Sequence, residues 1–241
     1  MAKLSFDLIY EDSDLIAINK PSGMLTITDR ENNQSLKERL QHHYPEIYTI
    51  HRIDKDTSGI VLFARNADAH RYYSGIFEKR EIKKYYLAVV NGCPHPLSGD
   101  LAGSIMEHPV KKGRMIIHRK GKEAHTGYET IEAHHSFSLV RFELFTGRTH
   151  QIRIHASDAG FPIACDSVYG NAQPIMLSSI KQQYKRSKLE EEEQPLLNRL
   201  ALHAFQLSFI DKKGNPLQLE APIPKSFAAL MNQIKKWELK S

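Results

Sequence analysis

The sequence predicts an α+β fold built on a mixed sheet, and three observations lead there. Segments of strand character outnumber helical ones and do not alternate with them strictly, which disfavours a doubly wound parallel sheet. No internal repeat with a period of about 20–50 residues is visible, so neither a solenoid nor a propeller is expected. The 241 residues are 41% hydrophobic and 25% charged, an ordinary globular composition. At this length folding buries roughly 70% of the unfolded chain's surface, so a core forms without disulfide or metal staples. Residues 1–241 read as one domain.

The elements follow in order along the chain. Asp14 to Lys20 reads as a short strand that stops at Pro21-Ser22-Gly23. Ser35 and Glu38 stand at capping-box spacing for a short helix reaching about His43. Thr57-Ser58-Gly59 turns the chain into a β-rich run, Ile60 to Arg65. Ala69, Tyr72, Tyr73, Ile76 and Phe77 then fall at helical spacing behind Asn66 or Asp68 as cap. Tyr85 to Val90 returns to strand, and Met115–His118 and Thr126–Ala133 make two more around Lys120-Gly121-Lys122. Ser138, Val140, Phe142 and Leu144 alternate with Leu139, Arg141 and Glu143, the pattern of a half-buried strand.

That strand runs into Thr146-Gly147-Arg148-Thr149. Thr149 is the expected N-cap of a helix whose stripe is Ile152, Ala156 and Ala159, with Gly160 as its stop. Residues 171–200 carry the runs Lys185–Lys188 and Glu190–Glu193 and are expected to form a charged, partly flexible insertion. Ala204–Ile210 and Leu217–Glu220 form a hairpin, and Phe227, Leu230, Met231 and Ile234 mark a last amphipathic helix.

Composition bounds the function. The longest uninterrupted apolar run is Tyr85 to Val90, far short of the roughly 20 residues of a membrane span. Acidic residues Asp7, Glu11, Asp12 and Asp14 disfavour a signal peptide, so a cytoplasmic location is expected. Two cysteines, Cys93 and Cys165, exclude a disulfide framework and a thiolate zinc site. A net charge of +5 permits a nucleic-acid partner without establishing one.

Two polar stretches carry candidate chemistry. In His51-Arg52-Ile53-Asp54-Lys55-Asp56-Thr57-Ser58-Gly59 a carboxylate sits among three cations at the mouth of a buried strand. The last four residues read as a turn. Asp54, held ionised by opposite charge, suits a nucleophile, a base or a metal ligand. In Gly147-Arg148-Thr149-His150-Gln151-Ile152-Arg153-Ile154-His155 a helix N-terminus offers an anion site. His150 and His155, five apart, do not share a helix face, so no metal pair is read there. Lys83-Lys84-Tyr85-Tyr86 opens a strand on which one ring belongs to the core and the other is available to stack. Lys111, Lys112, Arg114, Arg119, Lys120 and Lys122 flank a hairpin that can track a phosphate backbone. No phosphate-cradling glycine loop with its lysine is present, which disfavours a nucleotide hydrolase.

Together these motifs resemble the RluA-type family of RNA pseudouridine synthases. The family pattern H-R-L-D-x-x-T-S-G is matched by His51 to Gly59, K-x-Y-x-A by Lys84 to Ala88, and G-R-T-H-Q-I-R letter for letter by Gly147 to Arg153. Weaker echoes are Asn19-Lys20-Pro21-Ser22-Gly23, Pro162-Ile163 with Asp166 and Tyr169-Gly170, and Leu202-His203-Ala204. Ile53 and Lys55 replace the commoner leucine and arginine, and Ala164-Cys165 stands where leucine-glycine is usual. The similarity runs from about residue 11 to residue 224, so the chain is expected to be a stand-alone catalytic domain without an N-terminal RNA-binding module.

The resemblance implies a mixed, largely antiparallel central sheet with flanking helices and an RNA cleft across the middle. It implies Asp54 as nucleophile, Arg153 as the basic residue that pairs with it, and Tyr86 as the platform for a target base flipped out of its stack. Arg52, Arg148 and Lys84 are the implied RNA contacts. No cofactor or metal is expected, the partner is ribosomal or transfer RNA, and the chain is expected to be a monomer. Two other classes fit less well. A glycosidase needs a second carboxylate at fixed separation, and only Asp56 is near. A passive RNA binder has no use for an aspartate in a cationic site.

Overall fold

The computed structural model describes residues 7–29, 31, 34–181, 184 and 192–238. By internal contacts the chain divides into two compact units, Met1–Tyr86 with His203–Pro222, and Leu87–Leu202 with Ile223–Ser241. Two of the three boundaries, Tyr86/Leu87 and Leu202/His203, fall inside strands, and the third, Pro222/Ile223, lies in a short connection.

In chain order the elements are β1 (Asp7–Glu11), β2 (Leu15–Lys20), α1 (Leu36–Gln41), β3 (Tyr48–Thr49), β4 (Ser58–Ala64), α2 (Ala67–Glu78), β5 (Lys83–Asn91) and β6 (Ser98–Glu107). Then come β7 (Met115–Ile117), β8 (Lys122–Glu132), β9 (Phe137–Leu144), α3 (Gln151–Asp158), a 3-10 turn at Leu177–Ser179, β10 (Leu202–Ile210), β11 (Pro216–Glu220) and α4 (Lys225–Glu238).

The first unit is a mixed sheet in the order β1-β2-β4-β10-β11, with β3 also paired to β4. Every pairing is antiparallel except β4 with β10. β4 is buried along its whole length, as a central strand rich in Ile, Val, Leu and Phe should be. Its apolar run packs with Leu15–Ile18 of β2, Leu36 and Leu40 of α1, and Tyr73 and Ile76 of α2. α1 starts on the capping box Ser35–Glu38, and α2 on Asn66, whose side chain accepts the Ala69 N–H. The parallel pairing depends on Gly59. Its φ is +115°, and a Cβ there would press into the Ala204 carbonyl and lie 2.6 Å from the Ala204 nitrogen.

The second unit carries the antiparallel run β9-β8-β6-β7. Ala124, Thr126 and Tyr128 of β8 face inward, and α3 packs on the same strands. Ile154 of α3 meets Ile105 and Ala124 there, with Met115, Ile117 and Tyr169 at the margin. Gly121 lets the β7–β8 turn close on β6, since a Cβ would lie 2.6 Å from the Ile105 carbonyl carbon. The charge run Lys185–Lys188 and the residues Glu190 and Glu191 lie outside the described residues. On either side of them Ile175 pairs with Leu197, and the Ser178 N–H reaches Glu193.

Among the described residues no helix is long and apolar enough to cross a membrane. The mixed, largely antiparallel sheet with a few helices is the architecture expected from the sequence.

Candidate active site

Asp54 is half-buried on the loop between β3 and β4. The segment after β2 grips that loop by its main chain. The Thr26 hydroxyl donates to the Ile53 carbonyl at 3.1 Å, and the Gly23 N–H to the Lys55 carbonyl at 2.9 Å. The Ser22 hydroxyl donates to the Asp56 carbonyl at 2.6 Å. Lys20, with no exposed surface, aims its ammonium at three carbonyls, those of Pro21 at 3.0 Å, Met24 at 2.6 Å and Lys55 at 2.9 Å. The Thr57 N–H then donates to the Asp54 carbonyl at 3.2 Å. Residues on both sides of Asp54 are thus fixed by backbone bonds, which hold the loop in one setting.

The neighbouring motif residues divide between scaffold and site. His51 accepts the Leu62 N–H at Nε2 (3.1 Å) and stacks on Phe77, ring centroids 4.7 Å apart. Burial, then the charge of Lys84, push its pKa from 6.5 down to about 3, so it is a neutral structural residue. Ser58 is hydrogen-bonded to His203 Nδ1 at 3.0 Å, both side chains buried, which accounts for the His203-Ala204 echo beside Gly59. Tyr86 on β5 packs against the first unit's core. Burial first, and the charge of Asp54 second, raise its hydroxyl pKa, so the phenol stays protonated. Lys84 is half-buried, and burial followed by the charge of Arg80 lowers its pKa. Arg52 is exposed. The first unit therefore sets Lys84 near His51 and Asp54 near Tyr86.

Arg148 and Arg153 belong to the second unit. The turn before α3 is capped from within. The Gln151 amide oxygen accepts from the Arg148 N–H at 3.0 Å and the Thr146 hydroxyl at 2.7 Å. Its amide nitrogen donates to the His125 carbonyl and the Thr126 hydroxyl, both at 2.9 Å. This corrects the expected N-cap. His150, at φ +55°, occupies that position and makes no side-chain capping bond, while Gln151 ties the preceding turn to β8. The expected stripe is corrected too: α3 is buried from Gln151 to Ala156, while Ala159 is exposed. Arg148 donates from Nε to the Glu123 carbonyl at 3.0 Å and, with Lys120 and Lys122, lines a hollow of about 440 Å³.

Arg153 is 3% exposed and makes a two-point ion pair with Asp166, Nε to Oδ2 at 2.7 Å and Nη2 to Oδ1 at 2.8 Å. Burial alone would push the Asp166 carboxyl up. The bonds and charge of Arg153 and the N–H groups of Val168 and Tyr169 outweigh it, so the pKa is lowered and the group stays ionised. Reasoning from sequence placed Asp166 only in a weak echo and gave it no role, and it missed the gripping function of Lys20. The available signals were a lysine closing a buried strand ahead of Pro21, and an acid four residues before Gly170.

A model of the RNA pseudouridylate synthase family matches residues 14–158. The chain is 32% identical over 241 residues to the ribosomal large subunit pseudouridine synthase D of Neisseria meningitidis serogroup B, covering 96% of this chain and 62% of that one. The synthase D of Nitrosomonas europaea is 33% identical over 236 residues, 95% of this chain and 65% of the relative. The chain thus spans under two thirds of the length of these relatives. The uncharacterized RNA pseudouridine synthase YlyB of Bacillus subtilis is 32% identical over 244 residues, 97% of this chain and 74% of the relative. Among solved structures, human RNA pseudouridylate synthase domain containing 4 aligns with a TM-score of 0.73 and 24% identity over 95% of this chain and 93% of that chain, a likeness of fold. The matched span holds the gripped Asp54 loop, the Tyr86 strand and the Arg148–Arg153 turn, and the chain belongs to the RNA pseudouridylate synthase family.

Proposed function

We propose that the chain isomerises specific uridines in RNA to pseudouridine, with Asp54 as the nucleophile. The observation that carries this reading is the Asp54 loop itself: a carboxylate on a backbone-clamped loop beside the half-buried Tyr86 ring, whose phenol pKa is raised by burial first and by the Asp54 charge second. The reaction breaks the C1′–N1 bond, turns the uracil and forms C1′–C5. The C5 proton is lost and N1 gains one, so no redox equivalent is consumed. A carboxylate nucleophile holds one half of the nucleotide while the other turns. Tyr86 stacks on the extruded base, whose unstacking costs a few kcal/mol. Arg153 serves as the basic residue of the site, as the family resemblance implies. Arg52, Arg148 and Lys84 contact RNA, with the basic hollow beside Arg148 supporting the second of these.

Relatives named for the large ribosomal subunit favour large-subunit ribosomal RNA over transfer RNA as substrate. The test is pseudouridine mapping of both transcripts after incubation with the purified chain. Wild type should convert defined uridines in the ribosomal transcript without releasing free uracil. Asp54→Asn should abolish conversion while RNA affinity stays equal or rises, because a negative charge is removed. Turnover in purified Asp54→Asn rejects the nucleophile, and modification confined to transfer RNA rejects the substrate.

A further inference from the structure

The ion pair of Arg153 is the centre of a larger cluster in the second unit. Asp166 holds the Nε–Nη2 edge of the guanidinium, and its Oδ1 also accepts the N–H groups of Val168 at 2.8 Å and Tyr169 at 3.0 Å. The Tyr169 ring covers the guanidinium, 5.2 Å from Cζ to centroid. Tyr169 is itself pinned. Its hydroxyl accepts the Met115 N–H at 2.8 Å and is hydrogen-bonded to His150 Nδ1 at 2.9 Å. Its carbonyl accepts the Ser157 hydroxyl at 2.8 Å. Arg114 lies 5.7 Å from the same ring's centroid.

We propose that Asp166 and Tyr169 are positioning residues that together set the direction of the Arg153 guanidinium. The inference rests on the reading of Arg153 as a residue of the active site. A guanidinium is planar, with five N–H donors in a fixed fork. Fixing one edge with a carboxylate leaves the group able to rock out of its plane, and a ring over its face removes that freedom. Edge and face together determine where the remaining donors point. Asp166 also cancels the formal charge of Arg153. What the cluster delivers is therefore a directed set of donors rather than surplus positive charge. A buried ion pair kept only for stability needs no ring fixed at its hydroxyl, amide and carbonyl. The arrangement suits a group whose direction matters, since a misplacement of about 1 Å can cost on the order of 100-fold in rate.

The experiment compares Tyr169→Leu, Tyr169→Phe and Asp166→Asn with the parent chain on a large-subunit ribosomal RNA transcript, in single turnover at saturating enzyme, with folding checked by circular dichroism. Tyr169→Leu and Asp166→Asn should slow conversion roughly 10- to 100-fold with RNA affinity unchanged. Tyr169→Phe keeps the ring over Arg153 and should recover most of the rate. The second readout needs no turnover. In a 15N-edited spectrum the Arg153 Nε–H signal, assigned by its loss in Arg153→Lys, should lose its ring-current shift in Tyr169→Leu and keep it in Tyr169→Phe. It should move or broaden in Asp166→Asn. An Arg153 signal unmoved by Tyr169→Leu, or a full rate in that variant, overturns the proposal. A signal that moves as expected in a chain that converts no RNA supports the positioning and rejects the active-site reading alone.

Discussion

His51 shows how a residue of the matched motif serves the fold. Its Nε2 must stay unprotonated to accept the Leu62 N–H. In the unfolded chain it titrates near its ordinary value of 6.5, and in the fold only at about 3. The unfolded state therefore binds more protons between these values. The stability His51 contributes is complete above pH about 6.5 and is lost as pH falls from there toward 3. In His51→Gln the amide oxygen can accept the same N–H without titrating. Thermal melts should then show a shallower loss of Tm from pH about 6.5 to 4 than in the parent, and parallel losses would contradict the assignment. Tyr86 makes a complementary case, since its hydroxyl stays protonated and the face is what a base would meet. Stacking is worth about 1–3 kcal/mol, so Tyr86→Phe should keep base engagement and Tyr86→Ala lose it. Fluorescence of 2-aminopurine at the target position reports this directly. Asp54, Tyr86 and Arg153 are legible because a motif spells them out. Asp166 and Lys20 are not, because their roles are bonds to segments that no local pattern connects to them.

At the scale of elements, periodicity found what periodicity can find. β2, β4, β9 and α2 carry strong apolar patterns and lie where the sequence places them, within a residue or two, and α4 runs on past its Phe227–Ile234 stripe to Glu238. β6 went unread because Gly99, Ala102, Gly103 and Ser104 give it little apolar contrast, and its strand state comes from pairing with β8 along eight residues. α3 starts one residue later than Thr149 suggests, because the left-handed backbone of His150 and the bonds of Gln151 to the preceding turn set that boundary without a local capping signature. The glycine of Thr57-Ser58-Gly59 reads locally as a turn residue, whereas here it admits a neighbouring strand. Gly59→Ala adds both a clash with the Ala204 backbone and a side chain at φ +115°. It should cost at least about 2 kcal/mol, measured as a lowered urea midpoint. An unchanged midpoint would mean that β10 gives way freely.

For the whole molecule, net charge is a weak guide, because +5 arises from 33 basic against 28 acidic side chains spread over both units. The local excess matters more. Lys120, Lys122 and Arg148 share one hollow, with Glu107 as the acid on its wall. Glu107 accepts the Gly113 N–H at 3.0 Å and so has a structural use there. If the hollow tracks a phosphate backbone, Lys120→Ala and Lys122→Ala should each weaken RNA binding and reduce the salt slope of the association constant by about 1. Their rates at saturating RNA should match the parent's. A salt slope identical to wild type in the double variant would remove the hollow from the RNA-binding surface. The division into two units was not legible, because two of its boundaries, Tyr86/Leu87 and Leu202/His203, run through strands, and the third, Pro222/Ile223, is a connection too short to read as a linker.

The parallel pairing of β4 with β10 also fixes an order in time. Ser58 and His203 are 145 positions apart. A ribosome adding roughly 5–20 residues per second takes about 7–30 s to make that stretch. Throughout it, the Ser58–Gly59 edge of an otherwise fully apolar strand waits without its neighbour, a surface that chaperones or aggregation partners recognise. The loop bearing Asp54 runs directly into that edge, so its final setting waits until His203 and Ala204 have been made. A chain interrupted before residue 203 carries Asp54 but not the strand that locks the base of its loop, so the setting of that loop arrives well after the motif that names it.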